Sequence, residues 1–517
     1  MGMGRALSVA LVGLNGYVIE VEADIGQTLP NFVLLGLPDA SLNEARERIR
    51  SAAQNSGIPL SRRKITVNLV PASLPKKGSG FDLAIVMAAL NAAGNVRRTG
   101  GTVFLAELGL DGRLRPVRGV LPAVLAALSA GCREFVVGTA NLAEAQLVKG
   151  AKVRGYENLA QVAIDFDADP KDLCGVDGGW TGGNAESKTG QSTAAAQPLA
   201  DLSEVAGQPV ARLALEIAAA GGHHLMMVGP PGSGKTMLAE RLPGLLPDLS
   251  DAEAMEVTAI HSLDNRGSGL MELVRRPPYE RPHHSASTAA IIGGGSGIPR
   301  PGAATRAHRG VLFLDEAPEF DKRVLDALRQ PLESGELVLH RSAGTASYPA
   351  RFQLVMAANP CPCGKATGKG INCECTPMAR RRYFGRLSGP LLDRVDIQLQ
   401  VTKVQLAQLA DSGPRESSQQ VASRVQLART IASERLKPWG LVHNADLTGR
   451  VLRGPLRLGG HSTALLDKAM GTGVLSARGY DRVLRLAWTV ADLQGRERPD
   501  SDDVGLALTL RQRGEIS

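Results

Sequence analysis

The sequence predicts an α/β protein of several domains, with a nucleotide-binding strand–loop–helix unit near its middle and an all-helical C-terminal region. Three observations predict it. Gly229-Pro230-Pro231-Gly232-Ser233-Gly234-Lys235-Thr236 matches G-x-x-x-x-G-K-T, after the apolar run Leu225-Met226-Met227-Val228 and before helix-compatible residues 237–242. Downstream, Gly310-Val311-Leu312-Phe313-Leu314-Asp315-Glu316 reads as a buried strand ending in paired carboxylates. Beyond about residue 411 the pattern is helical, with candidate helices over 421–436, 463–470, 480–493 and 502–510.

The first two motifs imply ATP chemistry. Glycines let backbone N–H groups turn inward toward phosphate oxygens. Lys235 is then expected to reach the β and γ phosphates and the Thr236 hydroxyl to ligate Mg²⁺. Asp315 is expected to hold Mg²⁺ through its waters, and Glu316 to polarise the attacking water.

At 517 residues the chain exceeds what one core supports. Its formal charge of +8 and pI near 9.3 suit a nucleic-acid partner without requiring one. No uncharged apolar run reaches the ~18–20 residues needed to span a bilayer, so no membrane role is expected. The apolar stretch 6–14 is followed by Tyr17-Val18-Ile19-Glu20-Val21-Glu22, which alternates like a strand. This predicts an N-terminal strand pair in a cytoplasmic protein.

Residues 1–166 alternate strand-like and helix-like segments. Strands are predicted at 31–36, 64–69, 102–107, 110–114 and 134–137, and helices at 40–55, 81–93 and 120–130. The first of those helices presents a basic face with Arg46, Arg48 and Arg50. Two segments, Pro75-Lys76-Lys77-Gly78-Ser79-Gly80-Phe81-Asp82-Leu83-Ala84 and 107–119, resemble the Lon-protease-type fold at the N-terminus of magnesium-chelatase-like proteins. In that alignment the catalytic serine and lysine positions fall on Gly80 and Leu121. Ser79 lies one residue off and Lys76 and Lys77 upstream, a rearranged dyad that is disfavoured, so the resemblance implies a non-proteolytic scaffold or partner-binding module.

Residues 167–200 are Gly/Ser/Thr/Ala-rich without apolar period and predict a flexible linker. A second domain, 201–410, opens with a helix over 211–220 and contains the two nucleotide motifs. Between them lies an insertion with Arg281-Pro282-His283-His284-Ser285-Ala286-Ser287 and a glycine-rich run. Adjacent histidines in extended backbone diverge, which favours a loop role over metal binding. A helix is predicted over 322–332, then a hairpin around Ser342-Ala343-Gly344-Thr345-Ala346, then a strand ending at Asn359.

This order of motifs resembles the AAA+ ATPases that carry a hairpin before sensor 1, and most closely the ComM-type (YifB-type) magnesium-chelatase-like proteins. Arg281 to Ser287, Ala307-His308-Arg309-Gly310 and Asn359-Pro360-Cys361-Pro362-Cys363-Gly364 carry the likeness, which spans nearly the whole chain. It implies an AAA+ αβα core with an all-helical lid over 411–517. Asn359 resembles sensor 1, which positions the attacking water. Arg394, in Ser388-Gly389-Pro390-Leu391-Leu392-Asp393-Arg394, resembles an arginine finger that reaches a neighbouring subunit. Arg478, in Leu475-Ser476-Ala477-Arg478-Gly479, resembles sensor 2. The resemblance further implies self-association as a ring, usually a hexamer, that moves on single-stranded or branched DNA and promotes branch migration during recombination. His284, Arg300, His340 and Arg341 are then the candidate DNA contacts. A chelatase-type motor that remodels a protein partner is the alternative, and a protease is disfavoured by the missing dyad.

Four of the six cysteines cluster as Cys361-x-Cys363 and Cys373-x-Cys375. Reduced thiols at this spacing suit a structural Zn²⁺ site, although C-x-C is tighter than C-x-x-C and free thiols are the alternative. The basic run Arg380-Arg381-Arg382 reads as a phosphate contact or as a solvated helix face.

Overall fold

A computed structural model describes residues 2–36, 39–72, 74, 76, 78–173, 200–264, 271–295, 299–341, 344–366, 372–405, 408 and 415–511. Most of the expected linker, 174–199, lies outside them, as do Ser342 and Ala343 and the side chain of Arg341.

The N-terminal part is a seven-stranded mixed sheet. Its order is Phe32–Leu35, Ile65–Val70, Asn15–Ile25, Gly4–Val12, Thr102–Leu105, Glu134–Gly138, Lys152–Tyr156. The expected N-terminal strand pair is present, antiparallel from Gly4↔Ala23 to Val12↔Asn15. Alternation puts Ala6, Ala10, Phe104 and Val136 on one face and Val9, Val103, Leu105 and Phe135 on the other. Helix Asp82–Ala93 is apolar nearly all round because it lies buried on the first face. Helix Val120–Ser129 covers the second. The basic face expected on 40–55 is partly structural, since Arg48 Nε donates to the buried Asp82 carboxylate at 2.9 Å. The helix Thr139–Gln146 and the strand Lys152–Tyr156 were not anticipated from the pattern.

The central part is a five-stranded parallel sheet in the order Tyr279–Glu280, Val311–Leu314, Gln353–Ala358, Leu225–Val228, Ile397–Gln400. Both faces are covered, which explains the continuous apolar runs. Leu225, Met227, Val311, Phe313, Val355 and Ala357 meet helix Pro209–Gly221 and the C-terminal helices. Met226, Leu312, Leu314, Leu354 and Met356 face the opposite layer, with Val324, Leu325 and Leu328. The C-terminal helices Ser418–Leu436, Gly460–Gly471, Ala477–Leu493 and Ser501–Arg511 lie close to expectation. The chain is thus a mixed α/β protein with a parallel-sheet core and a helical C-terminal region. No helix among the described residues is long and apolar enough to cross a membrane.

Two expected helices differ, for one reason. The helix over 322–332 is split into Lys322–Ala327 and Arg329–Ser334, and the run after the glycine loop is helical only over Lys235–Ala239. Pro331 and Pro243 lack the N–H that would bond Ala327 and Ala239, and their rings crowd those carbonyls.

Candidate ATP site and its surroundings

The site lies at the C-terminal ends of adjacent parallel strands, where open α/β sheets bind ligands. Leu225–Val228 delivers the glycine loop, Val311–Leu314 the acidic pair and Gln353–Ala358 the residue Asn359. The Gly229 N–H donates to Ala358 O at 3.1 Å, so loop and asparagine leave the sheet together. Gly232 and Gly234 take φ of +73° and +88°, which side chains resist. Gly229 packs so closely that a Cβ would sit 2.2 Å from Val401 O.

Lys235 Nζ donates to Gly229 O at 2.6 Å, Pro230 O at 3.0 Å and Asn359 Oδ1 at 3.3 Å. Burial lowers the pKa of its ammonium, and the charges of Asp315 and Glu316 oppose that. Thr236 Oγ1 donates to Asp315 Oδ2 at 2.9 Å, which pairs two hard oxygen donors of the kind Mg²⁺ takes. Among the described residues, Ser233 Oγ is buried without a hydrogen-bond partner, and the space around the Gly232 Cβ direction is open. These features fit a phosphate group with its cation.

Sequence reasoning missed a second layer of contacts. Arg281 Nη2 donates to Asp315 Oδ2 at 2.8 Å and Nη1 to Glu240 at 3.0 Å. His284 Nδ1 lies 3.3 Å from Glu316 Oε2. One segment therefore holds both carboxylates. The expected divergence of the histidines is corrected: the rings of His283 and His284 lie 4.1 Å apart, centroid to centroid. His283 Nδ1 lies 2.7 Å from Ser285 Oγ in a turn, so the backbone there is not extended.

Arg394 and Arg478 lie within electrostatic reach of each other, in one patch of mixed charge. Burial lowers the Arg394 pKa, reinforced by the charges of Arg329, Arg482 and Arg478. Its guanidinium pairs with Glu333, and exposed Arg478 lies 4.0 Å from Asp393. Behind them Asp396 is buried among His223 Nδ1 at 3.3 Å and Arg482, which also donates to Arg394 O at 2.9 Å. Burial pushes the Asp396 carboxyl up, but the His223 hydrogen bond and the Arg482 charge outweigh it and hold its pKa well below the usual range.

The insertion is more ordered than a loop. It forms helix Thr288–Ile292 and a strand pair, Gly293–Gly294 with Arg300–Pro301. The expected hairpin is Glu336–Arg341 with Gly344–Pro349. The two are joined: Tyr348 donates its hydroxyl to Pro299 O, and a Cβ on Gly293 would sit 3.0 Å from Leu339 Cδ1. Arg300 and His340 are exposed on these strands, whereas His284 sits at Glu316.

The four cysteines converge. Cys361 Sγ lies 3.3 Å from Cys363 Sγ and 3.6 Å from Cys373 Sγ, and Cys363 lies 3.7 Å from Cys373. All four sulfurs, Cys375 included, fall within 4.8 Å of one another. Tetrahedral Zn–S bonds of about 2.3 Å place sulfurs about 3.8 Å apart, so the set fits such an ion. The Lys365 backbone N–H and then the Cys361 thiol pull the Cys363 pKa down to about 6.

Comparison with known proteins assigns this arrangement to a family. Models for the magnesium chelatase subunit ChlI match residues 21–141 and 201–409, and one for its C-terminal part matches 415–511. An uncharacterised protein of Mycobacterium tuberculosis is 50% identical, over 99% of each chain. Competence protein ComM of Haemophilus influenzae is 40% identical over 99% of this chain and 98% of its own. The uncharacterised protein YifB of Escherichia coli is 41% identical over 94% and 92%. With its P-loop, acidic strand and helical C-terminal region, the chain belongs to the ComM/YifB-type magnesium-chelatase-like proteins, a family of AAA+ ATPases.

Proposed function

We propose that the chain is a Mg²⁺-dependent ATPase that assembles as a ring, a hexamer by analogy with its group, and works on DNA. The observation that carries the ring is what the two arginines engage. Lys235, Thr236, Asp315, Glu316 and Asn359 meet at one site, while Arg394 pairs with Glu333 and Arg478 lies by Asp393, in a patch they share. An arginine finger presented to a second copy's phosphate is the use this patch suits, worth about 10³-fold or more in rate.

Thr236 and Asp315 would hold Mg²⁺, which supplies charge neutralisation on the phosphates. Lys235 binds the phosphates, Glu316 takes the proton of the attacking water, and Asn359 orients that water. Cys361, Cys363, Cys373 and Cys375 would hold Zn²⁺ as a structural ion. The N-terminal part acts as a non-proteolytic, Lon-type scaffold, a reading supported by Gly80 and by Leu121, which is buried in a helix.

The likeness to a competence protein supports DNA as the partner and branch migration in recombination as the work. Arg300 and His340, on joined strand pairs, are the favoured contacts, with Arg341 alongside in sequence. Such contacts would track the backbone without reading bases. The chelatase models favour a second reading, a motor that remodels a protein partner. ATP hydrolysis measured with and without a labelled four-way DNA junction separates them, with strand exchange scored in the same tube. Stimulation and ATP-dependent exchange, both absent in Lys235→Ala, are expected. Hydrolysis that ignores DNA would favour the protein partner.

A further inference from the structure

We infer that the four-cysteine knuckle is part of the framework of the ATP site: a metal ion held by Cys361, Cys363, Cys373 and Cys375 fixes the glycine loop at Pro231 and the backbone at Asn359, so nucleotide affinity depends on that metal. This rests on reading the knuckle as a metal site. It adds a link that neither the sulfur spacing nor the phosphate-binding motif contains by itself.

Contact with the glycine loop is direct. Gly364 is buried, takes φ of +72° and closes a turn by donating its N–H to Cys361 O at 2.9 Å. A Cβ on Gly364 would lie 2.6 Å from Pro231 Cδ and 2.7 Å from its Cγ. The knuckle backbone therefore rests on the proline ring, at a spacing only glycine permits. Pro231 lies between Pro230, whose carbonyl Lys235 grips, and Gly232.

Asn359 is held from both ends of the knuckle. The first cysteine, Cys361, follows it with only Pro360 between. The last, Cys375, leads through Thr376, which caps helix Pro377–Phe384 by accepting from Ala379 N at 3.2 Å. Tyr383 of that helix is buried and turns back toward the Asn359 backbone. Asn359 in turn receives Lys235 at 3.3 Å.

Among the described residues, little besides a metal would hold the knuckle. Pro362, Lys365 and Glu374 are exposed, and Cys363, Cys373 and Cys375 are only half-buried. The Lys365–Glu374 pair at 3.7 Å is a surface ion pair, of small worth. Thiol–thiol contacts are weak. Four thiolates around one tetrahedral ion supply what packing does not, and they select zinc among common divalent metals.

The test uses the full chain with Mg²⁺ kept throughout. Zinc is counted by elemental analysis, and affinity is read with a fluorescent ADP analogue. One zinc per chain is expected. Stripping with a zinc-selective chelator is expected to weaken ADP binding by about tenfold or more, and reloading zinc to restore it. Cys373→Ser/Cys375→Ser is expected to lose both metal and affinity. If that variant fails to fold, stripping and reloading the wild-type chain answers the same question. Gly364→Ala keeps all four thiols; it is expected to retain zinc and still weaken ADP binding. A chain that takes up no zinc overturns the metal site and the coupling together. Zinc that binds and can be removed without changing ADP affinity overturns the coupling alone, as does a Gly364→Ala protein with wild-type affinity. None of these readouts involves DNA, so they stand apart from the DNA-motor reading.

Discussion

At Glu316 the backbone takes φ of +52°, a left-handed conformation that costs a non-glycine residue about 1 kcal/mol or more. The residue is held there by its surroundings, and its carboxylate lies against His284 at 3.3 Å. Arg281 treats Asp315 the same way at 2.8 Å. Both acids of the proposed ATP site are thus engaged by one short segment, which runs on into helix Thr288–Ile292 and the Arg300 strand pair. A ligand seated on that strand pair has a short path to Glu316. His284→Ala removes this half-exposed 3.3 Å contact with the carboxylate, worth about 1 kcal/mol, or roughly fivefold, at most. Basal ATP hydrolysis of His284→Ala should therefore rise severalfold, while its stimulation by DNA shrinks. A steady-state phosphate-release assay with and without a DNA junction reads both. Basal hydrolysis that falls tenfold would instead mark His284 as a required partner of Glu316.

Among the elements, the segment around helix Gly389–Leu392 and the start of helix Ala477–Leu493 matter together, because they bring Arg394 and Arg478 to one patch. If that patch serves a second copy, Arg394→Ala should bind nucleotide normally yet hydrolyse it about 10³-fold more slowly. Mixing it with Lys235→Ala, which still carries Arg394, should recover hydrolysis at the mixed interfaces. Binding lost in Arg394→Ala alone would place the arginine at its own chain's nucleotide. The phosphate loop, the acidic strand and the asparagine strand were legible in sequence because each is a contiguous motif with its own element. Strand Ile397–Gln400 was not, because four alternating residues right after the Arg394 segment give too short a period. Strand Tyr279–Glu280 is shorter still. The contacts of Arg281 and His284 join residues far apart in the chain, so no local pattern encodes them. The proline breaks at Pro243 and Pro331 could have been read from sequence, since each proline blocks a nameable carbonyl.

On the scale of the whole molecule, the N-terminal part is joined to the central one. The Gly119 N–H donates to Ser262 O at 3.0 Å, the Ser262 hydroxyl to Glu144, and Ala259 is shared with the core beneath helix Val120–Ser129. Buried imidazoles set the acid limit of this assembly. Burial lowers the pKa of His224 and of His308 to about 4 and of His443 to about 3, against an ordinary value of 6.5. Between those values the unfolded chain binds protons that the folded chain refuses, so stability is full above about pH 6.5 and falls as pH drops toward 4. The loss should be on the order of a few kcal/mol in total, and the melting temperature at pH 5 should lie several degrees below that at pH 7.5. A melting curve unmoved across that range would mean these rings take up protons in place. The backbone bond from Gly229 to Ala358 has a mechanical consequence as well. Loop and asparagine are bolted to neighbouring strands in register, Val228 beside Ala358, so the sheet behaves as an anvil. On the proposed motor reading, a stroke powered at this site would have to be delivered by what hangs off the sheet, with the paired strands bearing Arg300 and His340 as the hammer.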